Sequence, residues 1–140
     1  MDLDLKGKRA FVAGSSKGIG YASAEALAKE GADIFLVARN GELLKERAET
    51  LASRYGVNTS FQICDLTKED EIDTAVMNAV KTFDGIDILI ANCGGPKAGG
   101  ALEVMDEESL ESGFRHTFLS TVRLVRAFLP AMREKKWGRI

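Results

Sequence analysis

The sequence predicts an α/β fold, a doubly wound parallel sheet with strand order 3-2-1-4 and the start of a fifth strand, on three observations. Short β-rich apolar runs alternate along the chain with longer stretches of helical apolar spacing. After Asp33 the second run, Ile34-Phe35-Leu36-Val37-Ala38, is apolar without alternation, as suits a strand covered on both faces. A glycine-rich turn joins the first run to the first helix, and strand–helix alternation of this kind folds as a parallel sheet with right-handed crossovers.

Arg9-Ala10-Phe11-Val12-Ala13 is the first strand, and Gly14-Ser15-Ser16-Lys17-Gly18-Ile19-Gly20 is the turn after it. The spacing predicts a helix with Ile19, Ala22, Ala26 and Leu27 on its inner face, stopped by Gly31. Strand 2 is followed by Asn40, which caps a helix through about Tyr55. Phe61-Gln62-Ile63-Cys64 is the third strand; Thr67 and Asp70 form a capping-box pattern for a helix through Val80. Ile86 to Ala91 is the fourth strand, and a glycine-rich loop from Asn92 to Gly100 follows it. Asp106 caps one long helix to about Lys135, with Leu110, Phe114, Leu119, Val122, Val125, Leu129 and Met132 at helical spacing and Pro130 bending its last turn. Trp137-Gly138-Arg139-Ile140 leads toward a fifth strand.

At 140 residues the chain is one domain, and 45% hydrophobic with 29% charged residues is the balance of a globule with a core. A net charge of -2 with no Lys/Arg cluster speaks against nucleic-acid binding. No apolar stretch is long enough to span a bilayer, and the N-terminus lacks the pattern of a secretory signal, so the expected location is the cytoplasm. Two cysteines, Cys64 and Cys93, and one histidine, His116, make neither a tetrahedral zinc site nor a disulfide framework; both thiols are expected as small core residues and no metal is expected.

The candidate site lies at the carboxyl ends of the strands, where open α/β sheets bind ligands. Either Gly14 permits the tight turn, Gly18 lets a phosphate approach the backbone and Gly20 lets helix and strand pack closely, with the helix N-terminus meeting a pyrophosphate, or the segment is a flexible turn with helix-packing glycines. Ser16, Lys17 and Ile19 complete that turn. After strand 2, Ala38-Arg39 offers a guanidinium and no carboxylate, so Arg39 and Lys17 either face a 2'-phosphate, favouring NADP(H) over NAD(H), or are solvated surface charges. Asp65, beside Leu66, either accepts the exocyclic amine of an adenine or contacts the next helix. Asn92, Cys93 and Gly94, with Gly95, either let the backbone approach a ribose or nicotinamide or merely stabilise the turn.

Together these four strand ends resemble the classical short-chain dehydrogenase/reductase family, and among its members the 3-oxoacyl-carrier-protein reductase-like ones. The resemblance spans the chain, from Leu5-Lys6-Gly7-Lys8-Arg9-Ala10 to Phe128-Leu129-Pro130-Ala131-Met132 and Gly138-Arg139-Ile140. It implies a Rossmann-type NAD(P)-binding domain over residues 1–140 whose glycine turn, Asp65 and Asn92 loop contact the cofactor, with a basic residue after strand 2 going with NADP. It implies hydride transfer between nicotinamide and a carbonyl or secondary alcohol of a small-molecule substrate, in a homo-oligomer, dimer or tetramer, part of whose interface the long helix forms. Cys93 and Gly94 replace the usual middle residues of the strand 4 loop, and Thr117 stands where the family places a helix asparagine that supports a proton relay.

The family's proton donor is a tyrosine with a lysine four residues on, assisted by a serine, all beyond strand 5. A phenol of pKa about 10 needs such a cation to work near neutrality. Tyr21 and Tyr55 are followed at that spacing by Glu25 and Thr59, so both are expected as helix residues and the chain as incomplete relative to the family. An unpaired edge on strand 4 and an exposed apolar face including Phe118, Val122 and Phe128 point the same way, toward a chain of about 250 residues. The expectation is therefore an enzyme whose present 140 residues are inactive alone. The competing expectation is a non-catalytic dinucleotide-binding or subunit-pairing module; a methyltransferase on a similar sheet would want an acid where Arg39 stands.

Overall fold

The computed structural model describes residues 3–94 and 101–140. Met1, Asp2 and the residues from Gly95 to Gly100, which hold most of the expected glycine-rich loop and the Gly95 of the expected site, lie outside the described residues. Strands β1 (Arg9–Ala13), β2 (Asp33–Ala38), β3 (Thr59–Ile63) and β4 (Ile88–Ile90) form one parallel sheet in the order β3-β2-β1-β4. Helices α1 (Gly18–Lys29), α2 (Gly41–Tyr55), α3 (Glu69–Phe83), α4 (Glu107–Phe114) and α5 (Ser120–Glu134) complete it. No helix among the described residues is long and apolar enough to cross a membrane.

Strand residues point alternately to two faces. Ala10, Val12, Ile34, Leu36 and Ile88 share a buried cluster with Ala24, Ala28, Leu44 and Leu51 of α1 and α2. Phe11, Ala13, Phe35, Val37 and Leu89 face the other way, onto Ile72, Ala75, Leu124 and Phe128 of α3 and α5. Phe11 pairs in register with Phe35, their rings stacked at 5.7 Å, and meets the Phe128 ring at 5.0 Å. Each fully buried side chain of this size contributes about 1.5–3 kcal/mol of burial free energy, so the continuous apolar character of β2 follows from its having no solvent face.

Several local expectations are corrected. The inner face of α1 is Gly20, Ala24 and Ala28, whereas Ile19, Ala22 and Ala26 are exposed; in a helix this rich in alanine, residue size does not mark the buried side. Thr67 does not open a capping box, because its N–H and hydroxyl both donate to the Asp65 carboxylate, and α3 begins at Glu69 with no side-chain cap. The expected long helix is interrupted by a π turn at Arg115–Leu119 between α4 and α5. The extra residue shifts the phase, so the inner positions of α5 become Ser120, Leu124, Phe128 and Met132. Phe128 is therefore buried rather than exposed, Val122 is half-buried, and Leu110, Phe114 and Phe118 remain exposed. Asn40 and Asp106 do cap their helices, accepting from the Leu43 and Ser109 N–H groups. Cys64 is buried, while Cys93 is half-buried at the core's edge.

The amino end of the sheet is tied by a charge cluster. Arg9 grips Asp87 through Nε to Oδ2 at 2.7 Å and Nη2 to Oδ1 at 2.9 Å, and its own N–H donates to Oδ2. The same guanidinium donates to the carbonyls of Phe83 and Asp84, while Lys135 Nζ reaches Asp87 Oδ1 at 3.2 Å. The Asp87 main chain pairs on both sides, its N–H to the Arg9 carbonyl and its carbonyl to the Arg139 N–H. Arg139 in turn accepts from the Leu89 N–H and bridges Ile88 in parallel, so the outer edge of β4, expected to be open, is paired at this point. Trp137 lies against two cations, Lys8 Nζ at 4.1 Å and the Arg139 guanidinium at 4.9 Å from its ring.

Burial alone would raise the Asp87 carboxyl, but the Arg9 and Lys135 bonds outweigh it and hold the group below the usual carboxylate range. A depressed carboxyl stabilises the fold fully above its unfolded value near pH 4, and that contribution is lost as pH falls through the lower, folded value. Asp87→Asn should therefore cost about 3 kcal/mol at pH 7, since it strands the Arg9 charge. Urea denaturation at pH 7 and pH 3 checks this, with the gap between wild type and variant narrowing in acid.

Candidate functional site

Parallel strands deliver their carboxyl ends to one edge, and at the β1/β4 junction two turns compete for the same space. Gly14, at φ 61°, turns the chain out of β1, and a Cβ there would strike the Asn92 carbonyl after β4 and approach its amide nitrogen to 2.8 Å. Asn92 Nδ2 donates to the Gly14 carbonyl at 3.3 Å. Gly20 lies against that same carbonyl, and its absent Cβ would collide with it while standing 2.9 Å from Asn92 Nδ2. The packing that the sequence assigned to Gly20 is thus onto the turn itself. Gly18, at φ 58°, is different: a Cβ there, as at Gly94, would meet no atom of the described residues within 4 Å.

Lys17 precedes α1 with extended backbone and no side-chain cap, so the first-turn N–H groups of the helix lack a capping side chain, and no acidic residue stands in that turn. Lys17 and Ile19 are exposed and Ser16 is half-buried. Two residues that sequence reasoning passed over hold this turn. Ser15 is fully buried; its N–H donates to the Val37 carbonyl, and its hydroxyl oxygen accepts from the Val37 N–H at 2.8 Å, splicing the turn to the end of β2. Arg47 of α2 donates to the Ser16 carbonyl at 3.4 Å and lies over the Tyr21 ring at 4.4 Å. Ser15 carried a signal only as a small residue in a glycine turn, and Arg47 carried none.

Arg39 is exposed just beyond β2, and the Cys64 N–H to Ala38 carbonyl bond brings the end of β3 beside it. Asp65 follows. Its Oδ1 takes both Thr67 bonds, at 3.0 and 2.8 Å, and these, ahead of the nearby Lys68 and Arg39 charges, hold the carboxyl below its ordinary value. Its N–H donates to Glu71 Oε2 at 2.7 Å and its carbonyl accepts from the Lys68 N–H. Leu66 packs on the core, and its carbonyl accepts from the buried Ser120 hydroxyl.

Cys93 is packed against the core next to Asn92, with the Thr121 hydroxyl 3.8 Å from its sulfur; burial is the main reason its thiol is raised. Burial also pushes the Cys64 thiol up to about 12, with Glu71 and Asp65 adding to it. Thr117 lies in the π turn, apart from the glycine turn. Its hydroxyl donates to the Gly113 carbonyl and its own carbonyl accepts from the Thr121 hydroxyl, both at 2.7 Å. Tyr55 donates to Glu25 at 3.0 Å; burial and that partner raise the phenol, opposite to what a proton donor near neutrality needs.

A glycine turn and a strand-end loop meeting where the strand order reverses define an open α/β protein of the Rossmann type. The chain belongs to the short chain dehydrogenase family, whose model matches residues 8–140. It is 36% identical over 143 residues to the 3-oxoacyl-[acyl-carrier-protein] reductase FabG of Aquifex aeolicus, a match covering 100% of this chain and 56% of that one. Among solved structures, L-sorbose reductase from Gluconobacter frateurii, complexed with NADPH and L-sorbose, superposes with a TM-score of 0.90 at 36% identity over 96% of this chain and 51% of its own. An NAD+-bound xylitol dehydrogenase gives 0.89 at 27% identity, covering 97% and 52%. The chain spans about half the length of the relatives it matches.

The two kinds of glycine should separate on substitution. Gly20→Ala drives a Cβ into backbone and should cost about 3 kcal/mol, whereas Gly18→Ala meets open space and should cost about 1 kcal/mol for its left-handed conformation. Urea midpoints of the two variants check the order.

Proposed function

We propose that residues 1–140 form the NADP(H)-binding part of a cytoplasmic oxidoreductase that transfers hydride between nicotinamide and a carbonyl or secondary alcohol of a small molecule. The observation that carries this reading is the mutual fit of Gly14, Gly20 and Asn92, which leaves the backbone at Gly18 and Gly94 open at the sheet's carboxyl edge. The residues present fit a dinucleotide. The Gly14–Gly20 turn, with Ser16, Ile19 and the N-terminal end of α1, would hold the pyrophosphate. Asp65 and Leu66 would hold the adenine, and Asn92, Cys93 and Gly94 the ribose and nicotinamide end. NADP(H), when bound, supplies or accepts the hydride.

Solved relatives include both NADPH and NAD+ complexes, so the cofactor preference rests on this chain's own charges. Arg39 is an exposed guanidinium beyond β2 with no acid in its place, and Lys17 is exposed in the neighbouring turn. Arg39 is suited to a bidentate grip on a 2'-phosphate and Lys17 to a point charge beside it.

Hydride transfer in this reading needs a proton donor that the two tyrosines do not provide, since neither has a lysine four residues on and Tyr55 is held protonated by burial and Glu25. The present chain is accordingly inactive alone, and the exposed Leu110, Phe114 and Phe118 suit a homo-oligomeric contact of the whole protein. That same observation on the tyrosines favours a second reading, a non-catalytic dinucleotide-binding module. Turnover by a longer form separates the two.

The cofactor assignment is tested by NADPH and NADH titration of wild type and Arg39→Asp. A charge-assisted phosphate contact is worth about 1.5–3 kcal/mol, so the variant should lose about 10- to 100-fold of the preference for NADPH. An unchanged ratio overturns the role of Arg39.

A further inference from the structure

Ser120 is a fully buried polar residue on the inner side of α5. It is the first residue of α5, immediately after the π turn. Its hydroxyl donates to the Leu66 carbonyl at 2.5 Å, 54 residues away in sequence, and stands 3.0 Å from the Arg115 carbonyl at the start of that turn. The Ser120 N–H also closes onto Arg115. The π turn thereby places a hydroxyl, rather than an apolar side chain, on the inner stripe of α5 that otherwise reads Leu124, Phe128 and Met132.

The other end of this bond is the Asp65-Leu66 turn, whose polar atoms are nearly all committed. Glu71 takes the Asp65 N–H, Lys68 donates to the Asp65 carbonyl, Thr67 occupies Asp65 Oδ1, and Ser120 takes the Leu66 carbonyl. Asp65 Oδ2 carries no hydrogen bond among the described residues. These bonds, five with both from Thr67, come from three directions: the start of α3, the residues just before it, and α5. Among the described residues, the Ser120 hydroxyl makes the hydrogen bond that ties the turn to an element beyond its own β3–α3 connection.

We propose that Ser120 is a positioning residue for adenine recognition: through the Leu66 carbonyl it fixes the direction in which Asp65 Oδ2 faces the site. This rests on the dinucleotide reading above and adds to it the residue that sets base selectivity. An Oδ2 held in place rewards a ligand with an exocyclic amine and leaves an acceptor unpaired before one without, so loss of the tether erodes that selectivity. A hydroxyl that served packing alone would leave selectivity intact.

The test compares binding of NADPH with that of its hypoxanthine analogue, which carries a keto oxygen where adenine has its amine, by wild type, Ser120→Ala and Ser120→Cys. Far-UV circular dichroism confirms the folded state, and the cysteine variant keeps a weak donor of similar shape where alanine fails to fold. Wild type is expected to prefer NADPH about tenfold, Ser120→Ala to fall toward equal binding with the analogue's affinity changed less than about twofold, and Ser120→Cys to lie between. A folded variant that keeps the wild-type ratio overturns the inference. Wild type binding both ligands equally overturns the adenine role of Asp65, and wild type binding neither overturns the dinucleotide reading itself.

Discussion

The close approach of three pieces of main chain, at Gly14, Gly20 and Asn92, is the constraint on which the rest of the molecule depends. It follows from topology. Once β4 pairs with β1 rather than with β3, the turn leaving β1 and the loop leaving β4 must share one volume, and a side chain on either glycine would hold them apart. Separated, they would carry α1 outward and withdraw Gly20, Ala24 and Ala28 from the core beneath. The neighbouring glycines act differently: Gly14 and Gly20 let the sheet close, whereas at Gly18 a Cβ would meet none of the described atoms.

The opposite end of the sheet is held by charge. Asp87 gathers Arg9 and Lys135, and its main chain bonds on both sides, so β1, β4 and the segment at Arg139 are registered by a single residue. A buried pair of this kind is worth little against an apolar replacement of the same shape, but it tolerates the loss of one partner badly. It thereby fixes the register of a short strand, β4, whose few ladder bonds specify it weakly. The polar groups at this end are spent on one another, and at the carboxyl edge Gly18, Gly94 and Arg39 are left facing outward.

Much of this was legible in the sequence because it is imposed by strong local chemistry. Strand order, the turn after β1, the caps at Asn40 and Asp106 and the placement of Arg39 each follow from residues whose alternatives are costly. The misreadings occur where two solutions differ by little. In α1 alanines lie on both sides, so Ala22 and Ala26 looked as buriable as Ala24 and Ala28. Thr67 had a choice between capping α3 and closing a turn on Asp65, and the nearer carboxylate won. The π turn changes the phase of a helix without changing its composition, so the helical spacing through Leu110 and Phe114 does not mark the buried side, and Phe128, expected on an exposed face, is buried with Leu124. Ser15 and Ser120 escaped for a related reason, since their roles are bonds to distant main-chain carbonyls and N–H groups that no spacing rule encodes.

Trp137 is the chain's single tryptophan, and it sits between Lys8 and Arg139 at the end of the sheet that Asp87 ties together. An indole flanked by two cations has its emission set by those charges. The protein thus carries an intrinsic optical label on its edge at β4, in a place remote in the fold from the glycine turn. Its fluorescence would respond by direct contact to whatever docks beside Arg139, and only through space, by energy transfer, to a reduced nicotinamide entering at Gly18, so the two ends of one sheet report by different physics in the same cuvette.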